Sequence, residues 1–293
     1  MAGEVDLAGR VAAVTGGARG IGEATVRALH RAGMRVAIGD LDGDLARELA
    51  AQLGDGAVGL DLDVTRRASF AAFFDDAEAA LGDLDVLVNN AGIMPLGRFV
   101  DEDDETARRM VDINVHGVLL GMKLALPRMI ARDRGHVVNL ASVAGRYGAP
   151  GGATYAATKH AVVGATEAVR GELRHEGSSV RLSYLLPYLV DTELGRGTTT
   201  RARTFRLLRP EEVADAVLDA IRRGRVDVWL PWHAGLLHRL ATASPRPVME
   251  LVTRVLRVDR VLETPDAEGA ARREVVLDVD DEQRLAHRAA RSS

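Results

Sequence analysis

Three side chains in the middle of the chain have the types and the spacing needed to move a proton at an oxygen atom. Tyr155 and Lys159 stand four positions apart in the stretch TYAATK, and Ser142 comes shortly before them. Residues four apart share a face of a helix, so the lysine ammonium is expected beside the phenol. Its charge should lower the tyrosine pKa from the ordinary ~10 and let the phenol exchange a proton near neutral pH. The Ser142 hydroxyl could hold the substrate oxygen on which negative charge develops.

The lysine at position 159 stands out because the chain uses arginine almost everywhere else. Lys123 is the only other lysine in a sequence with 38 lysines and arginines. A compact ammonium suits a point-charge role better than a planar guanidinium does. The alternative interpretation is that Tyr155 packs at a helix edge while Lys159 extends to solvent.

A glycine-rich turn near the N-terminus predicts a dinucleotide site. The stretch TGGARGIG occupies residues 15–22, between a predicted strand and a predicted helix. Glycines let the backbone turn tightly, and the amide donors and dipole at a helix N-terminus attract a pyrophosphate. We therefore expect the cofactor phosphates to contact Gly16, Arg19, Gly20, Ile21 and Gly22. A tight strand-to-helix connection without a nucleotide is the alternative.

Asp40, at the end of the second predicted strand, indicates which dinucleotide is bound. Its carboxylate can accept hydrogen bonds from the adenosine ribose hydroxyls and would repel a 2′-phosphate, so it favours NAD over NADP. Arg19 could instead bind that phosphate. The carboxylate decides the prediction, because placing it beside a phosphate dianion would be costly. Asp42 is interpreted as a solvated acid at a helix start.

Short β-branched runs alternate with longer helical patterns, which is typical of βαβ units and a parallel sheet. Strands are predicted over residues 10–14, 35–39, 58–61, 84–88, 136–140, 180–186 and 226–230. Helices are predicted over residues 22–31, 41–53, 69–81, 102–132, 154–175 and 210–223. The alternation stops beyond position 230, where apolar residues recur at helical spacing. The sequence predicts an α/β dinucleotide-binding catalytic domain over residues 1–232 and a helical C-terminal extension over residues 233–293, packed on the core or on a partner subunit.

Taken in order along the chain, these motifs resemble the short-chain dehydrogenase/reductase family in its compact single-domain form. The glycine turn has that family's TGxxxGxG spacing. Further matches follow in the family's order: Asp63-Val64, Asn89-Asn90-Ala91-Gly92, Asn114, Ser142, Tyr155 and Lys159. The resemblance covers about residues 8–230.

The resemblance implies a doubly wound, Rossmann-like sheet of seven parallel strands with helices on both faces, and a cofactor across the carboxyl ends of the strands. It implies adenine contacts from Asp63 and Val64, and nicotinamide carboxamide contacts from Val190 and Thr192. It implies further cofactor contacts from Asn89, Asn90, Ala91, Gly92, Tyr155 and Lys159. Ordinary turn chemistry is the alternative for the residues that follow strands.

For Asn114, the resemblance implies that it shapes its helix and holds a water in a proton relay through Lys159. An asparagine bonded to a backbone carbonyl inside the helix is the alternative. The resemblance also suggests a homodimer or homotetramer formed through the two helices that contain Asn114 and Tyr155.

The substrate pocket is predicted from the residues near the reactive group. The family commonly has Pro-Gly after the sixth strand, but here Tyr188 follows Pro187, and its ring could reshape the pocket. The other expected pocket residues are mostly apolar: Ile93, Met94, Val143 and Ala144. They favour a lipophilic secondary alcohol or ketone. The polar segment 193–209 and the extension are candidate lids, and the arginines Arg201, Arg203, Arg206 and Arg209 are interpreted as solvated charges.

Composition limits the other possible partners. A net charge of −4 is too weak an electrostatic footprint for nucleic acid. The chain has no cysteine and no histidine pair at metal-ligand spacing, so no disulfide and no catalytic metal is expected. The charged N-terminus and the lack of a long apolar run predict a cytoplasmic protein. Membrane contact by the extension is not predicted, because acidic residues dilute its arginines.

Hydride transfer between NAD(H) and an alcohol or ketone carbon is therefore the leading hypothesis, with Tyr155 exchanging the proton. One alternative is a non-catalytic nucleotide-binding scaffold or redox sensor, which would not need Ser142, Tyr155 and Lys159 together. The other is an epimerase or dehydratase that recycles its bound NAD. Such relatives resemble this chain less in the glycine turn.

Overall fold

The computed structural model describes residues 4–148, 150–192 and 206–242. Within them a single parallel sheet has the strand order β3-β2-β1-β4-β5-β6-β7. Its strands are β1 Val11–Thr15, β2 Arg35–Asp40, β3 Ala57–Asp61, β4 Leu84–Asn89, β5 His136–Leu140, β6 Arg181–Pro187 and β7 Asp227–Leu230. The helices are α1 Gly20–Arg31, α2 Gly43–Leu53, α3 Arg67–Leu81, α4 Asp104–Val111, α5 Val118–Ala131, α6 Ala153–His175, α7 Pro210–Arg223 and α8 Trp232–Thr242.

The sheet is covered on both faces, which confirms the doubly wound fold. One apolar layer joins it to α3, α5 and α6, and is centred on Phe70, Phe73 and Phe74. The other joins it to α1, α2 and α7. β1 and β4 are buried along their whole length, as expected for strands between two helical layers.

The single helix predicted over residues 102–132 differs from the observed segment. A short 3-10 turn, Phe99–Asp101, comes first, and a π-helical turn, Asp112–Gly117, separates α4 from α5. Asn114 lies in this wide turn, and its side chain bonds the backbone of Ile93. A π turn adds a residue to the helix and is common at functional sites. Periodicity could not reveal this, because α4, the π turn and α5 follow one another without a break.

The described part of the predicted extension is helical. α8 begins at Trp232, directly after β7. Residues 243–293, including the apolar pattern from 248 to 262, lie outside the described residues, so the boundary at 232/233 stays a prediction. None of the helices within the described ranges is both long and apolar enough to cross a membrane.

Candidate active site

The predicted site residues gather at the carboxyl ends of β1, β4, β5 and β6. β1 pairs with both β2 and β4, so the strand order reverses at this point of the sheet. Open α/β sheets bind ligands in the crevice at such a reversal.

The glycine turn after β1 has a backbone shape that requires glycine at particular positions. Gly16 and Gly20 have φ values of 60° and 56°, in the left-handed region that favours glycine. A Cβ at Gly22 would lie 1.9 Å from the Gly16 carbonyl oxygen. Ile21 lies in the first turn of α1, so its amide faces the same end. This backbone cradle at a helix N-terminus fits a pyrophosphate.

Asn90 and Thr15 fasten this turn to β4. The Asn90 side-chain amide donates to the carbonyl oxygens of Thr15 (3.0 Å) and Gly16 (2.8 Å). The Thr15 hydroxyl accepts from the backbone N–H groups of Asn90 and Ala91, both at 3.0 Å. Thr15 was not among the predicted contacts, although its place as the last residue before the first glycine was a usable signal.

We expect Gly22→Ala to disrupt the phosphate cradle. The new methyl group would displace either the Gly16 carbonyl or the Asn90 amide, 2.7 Å away. NADH affinity, measured by fluorescence titration, should fall at least about tenfold, which corresponds to ~1.4 kcal/mol. Gly171→Ala is the matched control, since a Cβ there meets nothing within 4 Å. Equal NADH affinity in the two variants would contradict this function of the turn.

Asp40 lies at the end of β2, as the sequence suggested, and Arg19 lies beside Asp42. The buried Asp40 carboxylate accepts from the backbone N–H groups of Ala18 (3.0 Å) and Asp42 (3.2 Å). Burial raises its pKa, and those two hydrogen bonds oppose the shift. Arg19 donates to Asp42 at 3.0 Å, and Asp42 also caps α2 by accepting from the Leu45 N–H. Asp42 is therefore a partner of Arg19, and not simply a solvated acid.

Asp63 and Val64 follow β3 in a turn. The Thr65 N–H (3.0 Å) and hydroxyl (2.6 Å) both donate to Asp63 Oδ1. Val64 is buried against Gly117, where a Cβ would lie 3.0 Å from its side chain. These contacts are the turn chemistry considered as the alternative, and an adenine contact stays a prediction.

Ser142, Tyr155 and Lys159 come together as predicted. Ser142 caps a 3-10 turn, Val143–Gly145, by accepting from the Ala144 N–H at 3.1 Å, and its hydroxyl donates to the Pro187 carbonyl at 3.3 Å. The Tyr155 phenol lies close enough to Ser142 for the serine hydroxyl to lower its pKa. Lys159 Nζ lies 5.6 Å from the centre of the Tyr155 ring and donates to the Leu140 carbonyl at 3.0 Å. Lys159 is only 5% exposed, so it does not extend to solvent.

The predicted direction of the Tyr155 pKa is wrong for the protein without a cofactor. Burial raises the pKa of Tyr155 to about 12, and the neighbouring Ser142 hydroxyl only partly offsets this. Burial also lowers the pKa of Lys159 to about 8. Removing each group from water disfavours its charged form. The sequence shows that Lys159 is near Tyr155, but it does not show how far packing removes the phenol from water, and that burial sets the direction of the shift.

Asn114 and Thr158 connect the π turn to the helix that carries Tyr155. The Asn114 side-chain amide donates to the Ile93 carbonyl (2.9 Å) and the Thr158 hydroxyl (3.2 Å), and its Oδ1 accepts from the Ile93 N–H (2.9 Å). Thr158 in turn donates to the Tyr155 carbonyl at 2.7 Å. A Cβ at Gly92 would lie 3.0 Å from Asn114 Oδ1 and 3.6 Å from Lys159 Nζ. Asn114 thus lies beside the reactive group, while the water relay stays a prediction.

A chain of buried amides lies beneath the site. The Asn89 amide donates to Asn139 Oδ1 and the Asn139 amide donates to the Thr166 hydroxyl, both at 2.8 Å. These bonds join β4, β5 and α6. Asn89 thereby supports the central strands, as the resemblance implied. Asn139 and Thr166 were missed, because nothing local distinguishes them from other polar residues.

The expected substrate-pocket residues come from the segments that follow β4, β5 and β6. Met94 follows β4, while Val143 and Ala144 form the 3-10 turn after β5. The Tyr188 N–H donates to the Leu230 carbonyl at 2.8 Å, which fixes Tyr188 at the end of β7. Burial raises the pKa of the Tyr188 phenol to about 12. Its ring packs partly against the apolar layer of α1, α2 and α7.

The segment after β6 returns towards the glycine turn. Val190 forms an isolated bridge with Leu208, and Thr192 lies next to Gly20, whose Cβ would be 3.4 Å from the Thr192 methyl group. Arg206 forms an ion pair with Glu212, and Arg209 lies 3.7 Å from the same carboxylate. Residues 193–205, with Arg201 and Arg203, lie outside the described residues.

Three rings, those of Tyr147, Trp229 and His238, lie in contact near the turn that follows Ser142, and this group was not predicted. His238 of α8 forms a hydrogen bond of 2.8 Å with the Tyr147 hydroxyl, and its ring lies 4.9 Å from that of Trp229. Burial lowers the pKa of His238, and the charges of Arg146 and Arg239 reinforce the shift. In the parts of the chain that the structure describes, no three His, Cys, Asp or Glu side chains are grouped so as to hold a metal ion.

Comparison with known proteins agrees with this geometry. A family model described as short chain dehydrogenase matches residues 10–202. The chain is 38% identical over 229 residues to 2-(S)-hydroxypropyl-CoM dehydrogenase 3 of Xanthobacter autotrophicus, covering 72% of this chain and 89% of that protein. It is 39% identical over 188 residues to a 3-alpha-(or 20-beta)-hydroxysteroid dehydrogenase of Mycobacterium tuberculosis, covering 64% and 72%.

A solved structure is similar over most of the fold. The short chain dehydrogenase/reductase from Burkholderia phymatum in complex with NAD has a TM-score of 0.73 and 28% sequence identity. The match covers 82% of this chain and 95% of that one.

Proposed function

This chain belongs to the short-chain dehydrogenase family, and we propose that it transfers hydride between NAD(H) and a lipophilic secondary alcohol or ketone, with Tyr155 exchanging the proton. The observation that carries the proposal is the grouping of Ser142, Tyr155 and Lys159. The phenol of Tyr155 lies near the Ser142 hydroxyl, and the buried Lys159 ammonium lies 5.6 Å from the centre of its ring. A scaffold without chemistry has no use for a lysine whose burial lowers its pKa.

In the proposed reaction, the Ser142 hydroxyl binds the substrate oxygen and Tyr155 exchanges a proton with it. In reduction the phenol donates the proton, and its high pKa keeps it protonated for that role. In oxidation the phenol must accept the proton, which costs more because the phenolate is poorly solvated. The Lys159 ammonium, when protonated, offsets part of that cost by Coulombic attraction. The dinucleotide, when bound, supplies or accepts the hydride.

The glycine turn and the strand ends support a dinucleotide next to these residues. The cradle from Gly16 to Gly22 fits the pyrophosphate, and Asp40 is the last residue of β2, at the same edge of the sheet. Thr192 lies over the glycine turn, and Gly92 lies beside Lys159. We propose NAD as the cofactor, because Asp40 presents a carboxylate where NADP would carry its 2′-phosphate. The NAD complex of the Burkholderia phymatum relative agrees with this choice.

We expect Asp40→Ala to relax the preference for NAD. Removing the carboxylate lowers the repulsion on a 2′-phosphate, so the ratio of kcat/KM for NAD to that for NADP should fall at least about tenfold, or ~1.4 kcal/mol. A second variant, Asp42→Asn, distinguishes the effect of the Asp40 carboxylate from that of the Arg19 guanidinium. Asparagine keeps the cap of α2 but releases Arg19 from its ion pair. It should improve NADP without weakening NAD. An unchanged ratio in Asp40→Ala would refute the assignment of Asp40.

A lipophilic substrate is proposed because the residues around Ser142 are mostly apolar. The hydroxysteroid dehydrogenase relative agrees with a large apolar substrate, whereas the hydroxypropyl-CoM dehydrogenase relative is named for a smaller alcohol. The direct test is a panel of ketones and secondary alcohols from 2-butanone to ketosteroids, followed by NADH absorbance, with NADP(H) in parallel. No turnover of any member by pure protein that binds NADH would refute the proposed function and favour the non-catalytic scaffold.

We also propose a homodimer or homotetramer in the cytoplasm. The cysteine-free composition suits a reducing compartment. The assembly is supported by the family resemblance of the helices that carry Asn114 and Tyr155. Light scattering on the purified protein tests it, and a mass of one chain, 31.4 kDa, would contradict it.

A further inference from the structure

A stack of three rings connects α8 to the loop that carries Ser142. Trp229 lies in β7, His238 lies on α8, and Tyr147 follows Ser142 by five residues. The His238 and Trp229 rings are tilted by 31° with their centres 4.9 Å apart. The His238 and Tyr147 rings meet edge to face at 5.1 Å and share a hydrogen bond of 2.8 Å. The histidine thus lies between the sheet edge and the loop.

The backbone of α8 is pressed closely against the same tryptophan. A Cβ at Gly235 would lie 2.7 Å from the Trp229 indole, so only glycine allows this approach. Ala234 is also buried, whereas Trp232 and Leu236 are exposed. The glycine sets the distance between α8 and the sheet, and the histidine sets the contact of α8 with the Ser142 loop.

This arrangement places α8 at the substrate side of the site. The Tyr147 N–H donates to the Val143 carbonyl (3.1 Å), so the tyrosine is held to the turn that begins at Ser142. On the other side, Tyr188 is bonded to Leu230, two residues before α8 begins. Ser142 itself is bonded to Pro187, next to Tyr188. The helix therefore extends between the two segments that lie on either side of Ser142.

From these contacts we propose that Tyr147 and His238 are specificity-determining residues, whose hydrogen bond holds α8 across the substrate side and limits the size of the alcohol or ketone admitted. The inference rests on the proposed function. The hydrogen bond joins positions 91 residues apart, and the aromatic stack gives the helix a defined seat on the sheet edge. A bulky substituent on the carbonyl carbon would have to displace the helix, whereas a small one would not.

The test compares substrates of different size in variants that lose this hydrogen bond. Tyr147→Phe keeps the ring and removes the hydroxyl, and His238→Phe keeps a ring against Trp229. We expect either change to raise the ratio of kcat/KM for the bulkiest ketone turned over to that for 2-butanone at least about fivefold, as the loss of one neutral hydrogen bond allows. The double variant should show no more than either single one, because both remove the same contact.

Tyr184→Phe is the matched control. Like Tyr147→Phe, it removes one phenol hydroxyl from the chain. The Tyr184 hydroxyl, however, is bonded to Glu167 of α6 and to Arg146, and not to α8. Hydrogen exchange gives a readout that does not depend on activity. The backbone amides of α8 should exchange faster in Tyr147→Phe than in wild type, and at the wild-type rate in Tyr184→Phe.

Both results are required. If wild type turns over substrates but the size ratio is the same in Tyr147→Phe, the inference fails while the proposed function stands. Unchanged exchange in α8 would overturn it as well, because the hydrogen bond would then not hold the helix. If wild type turns over no alcohol or ketone at all, the proposed function fails and the inference fails with it.

Discussion

Tyr155→Phe should lower kcat by about 10²–10⁴-fold in both directions, the range that one general acid–base group contributes. The substitution removes a single oxygen, and the ring should stay packed where it is. NADH binding, measured by fluorescence titration, should remain within about twofold of wild type, because the substitution leaves the glycine turn and Asp40 intact. Loss of rate without loss of binding is the signature of an interaction made in the transition state.

The control for this result is again Tyr184→Phe. Tyr184 is buried and its hydroxyl is bonded to Glu167 and Arg146 at 2.8 Å, so its loss should lower stability without removing the proton donor. Turnover by Tyr155→Phe at the same rate as by Tyr184→Phe would exclude Tyr155 as the proton-exchanging group. The scaffold hypothesis predicts that neither substitution changes a measurable rate.

Lys159→Met should lower kcat for alcohol oxidation about 10²-fold at pH 7 and move its pH dependence upward. Burial already raises the pKa of Tyr155 to about 12, and removing the ammonium takes away the Coulombic attraction that helps the phenolate to form. The rise of the oxidation rate with pH should therefore begin at higher pH in the variant than in wild type. Ketone reduction should suffer less, because the protonated phenol needs no help from a neighbouring charge. Rates in both directions from pH 6 to 11 provide the measurement.

The same substitution should stabilise the folded protein at neutral pH. Burial lowers the pKa of Lys159 to about 8, so the unfolded chain, with an ordinary lysine, binds the proton more tightly. Protonation of Lys159 therefore begins to destabilise the folded state as the pH falls below 10.5, the pKa in the unfolded chain. The destabilisation grows until about pH 8 and is complete at lower pH. Lys159→Met should gain about 1–2 kcal/mol in the free energy of unfolding at pH 7 after loss of the bond to Leu140. The gain should vanish above pH 10.5.

Lys123→Met is the matched control for both measurements. Lys123 is exposed on α5, so its removal should change neither the rates nor the pH dependence of stability. If Lys159→Met and Lys123→Met behave alike, Lys159 has no special electrostatic role. If Lys159→Met is inactive and is also less stable than wild type at both pH 7 and pH 11, the lysine acts through packing instead of charge.

Features that depend on short-range geometry could be predicted from the amino-acid sequence alone. The glycine turn between β1 and α1 follows from a strand, a tight turn and a helix start that are adjacent in the chain. Tyr155 and Lys159 share a face of α6 because a helix repeats every 3.6 residues. The seven strands were predictable because most of them are apolar runs bounded by turn residues. These local facts, with the family resemblance, were enough to identify the fold and the candidate catalytic group.

The loss of water around particular groups and the contacts between distant residues depend on how the whole chain packs. The Tyr155 pKa rises because packing buries the phenol, a desolvation that no neighbouring letter encodes. Arg19 meets Asp42 because β1 and β2 are paired, and Asn114 meets Ile93 because a π turn widens its helix. His238 meets Tyr147 because α8 follows a strand at the sheet edge. Burial and long-range contact are properties of the whole packed chain, so spacing within short motifs cannot specify them.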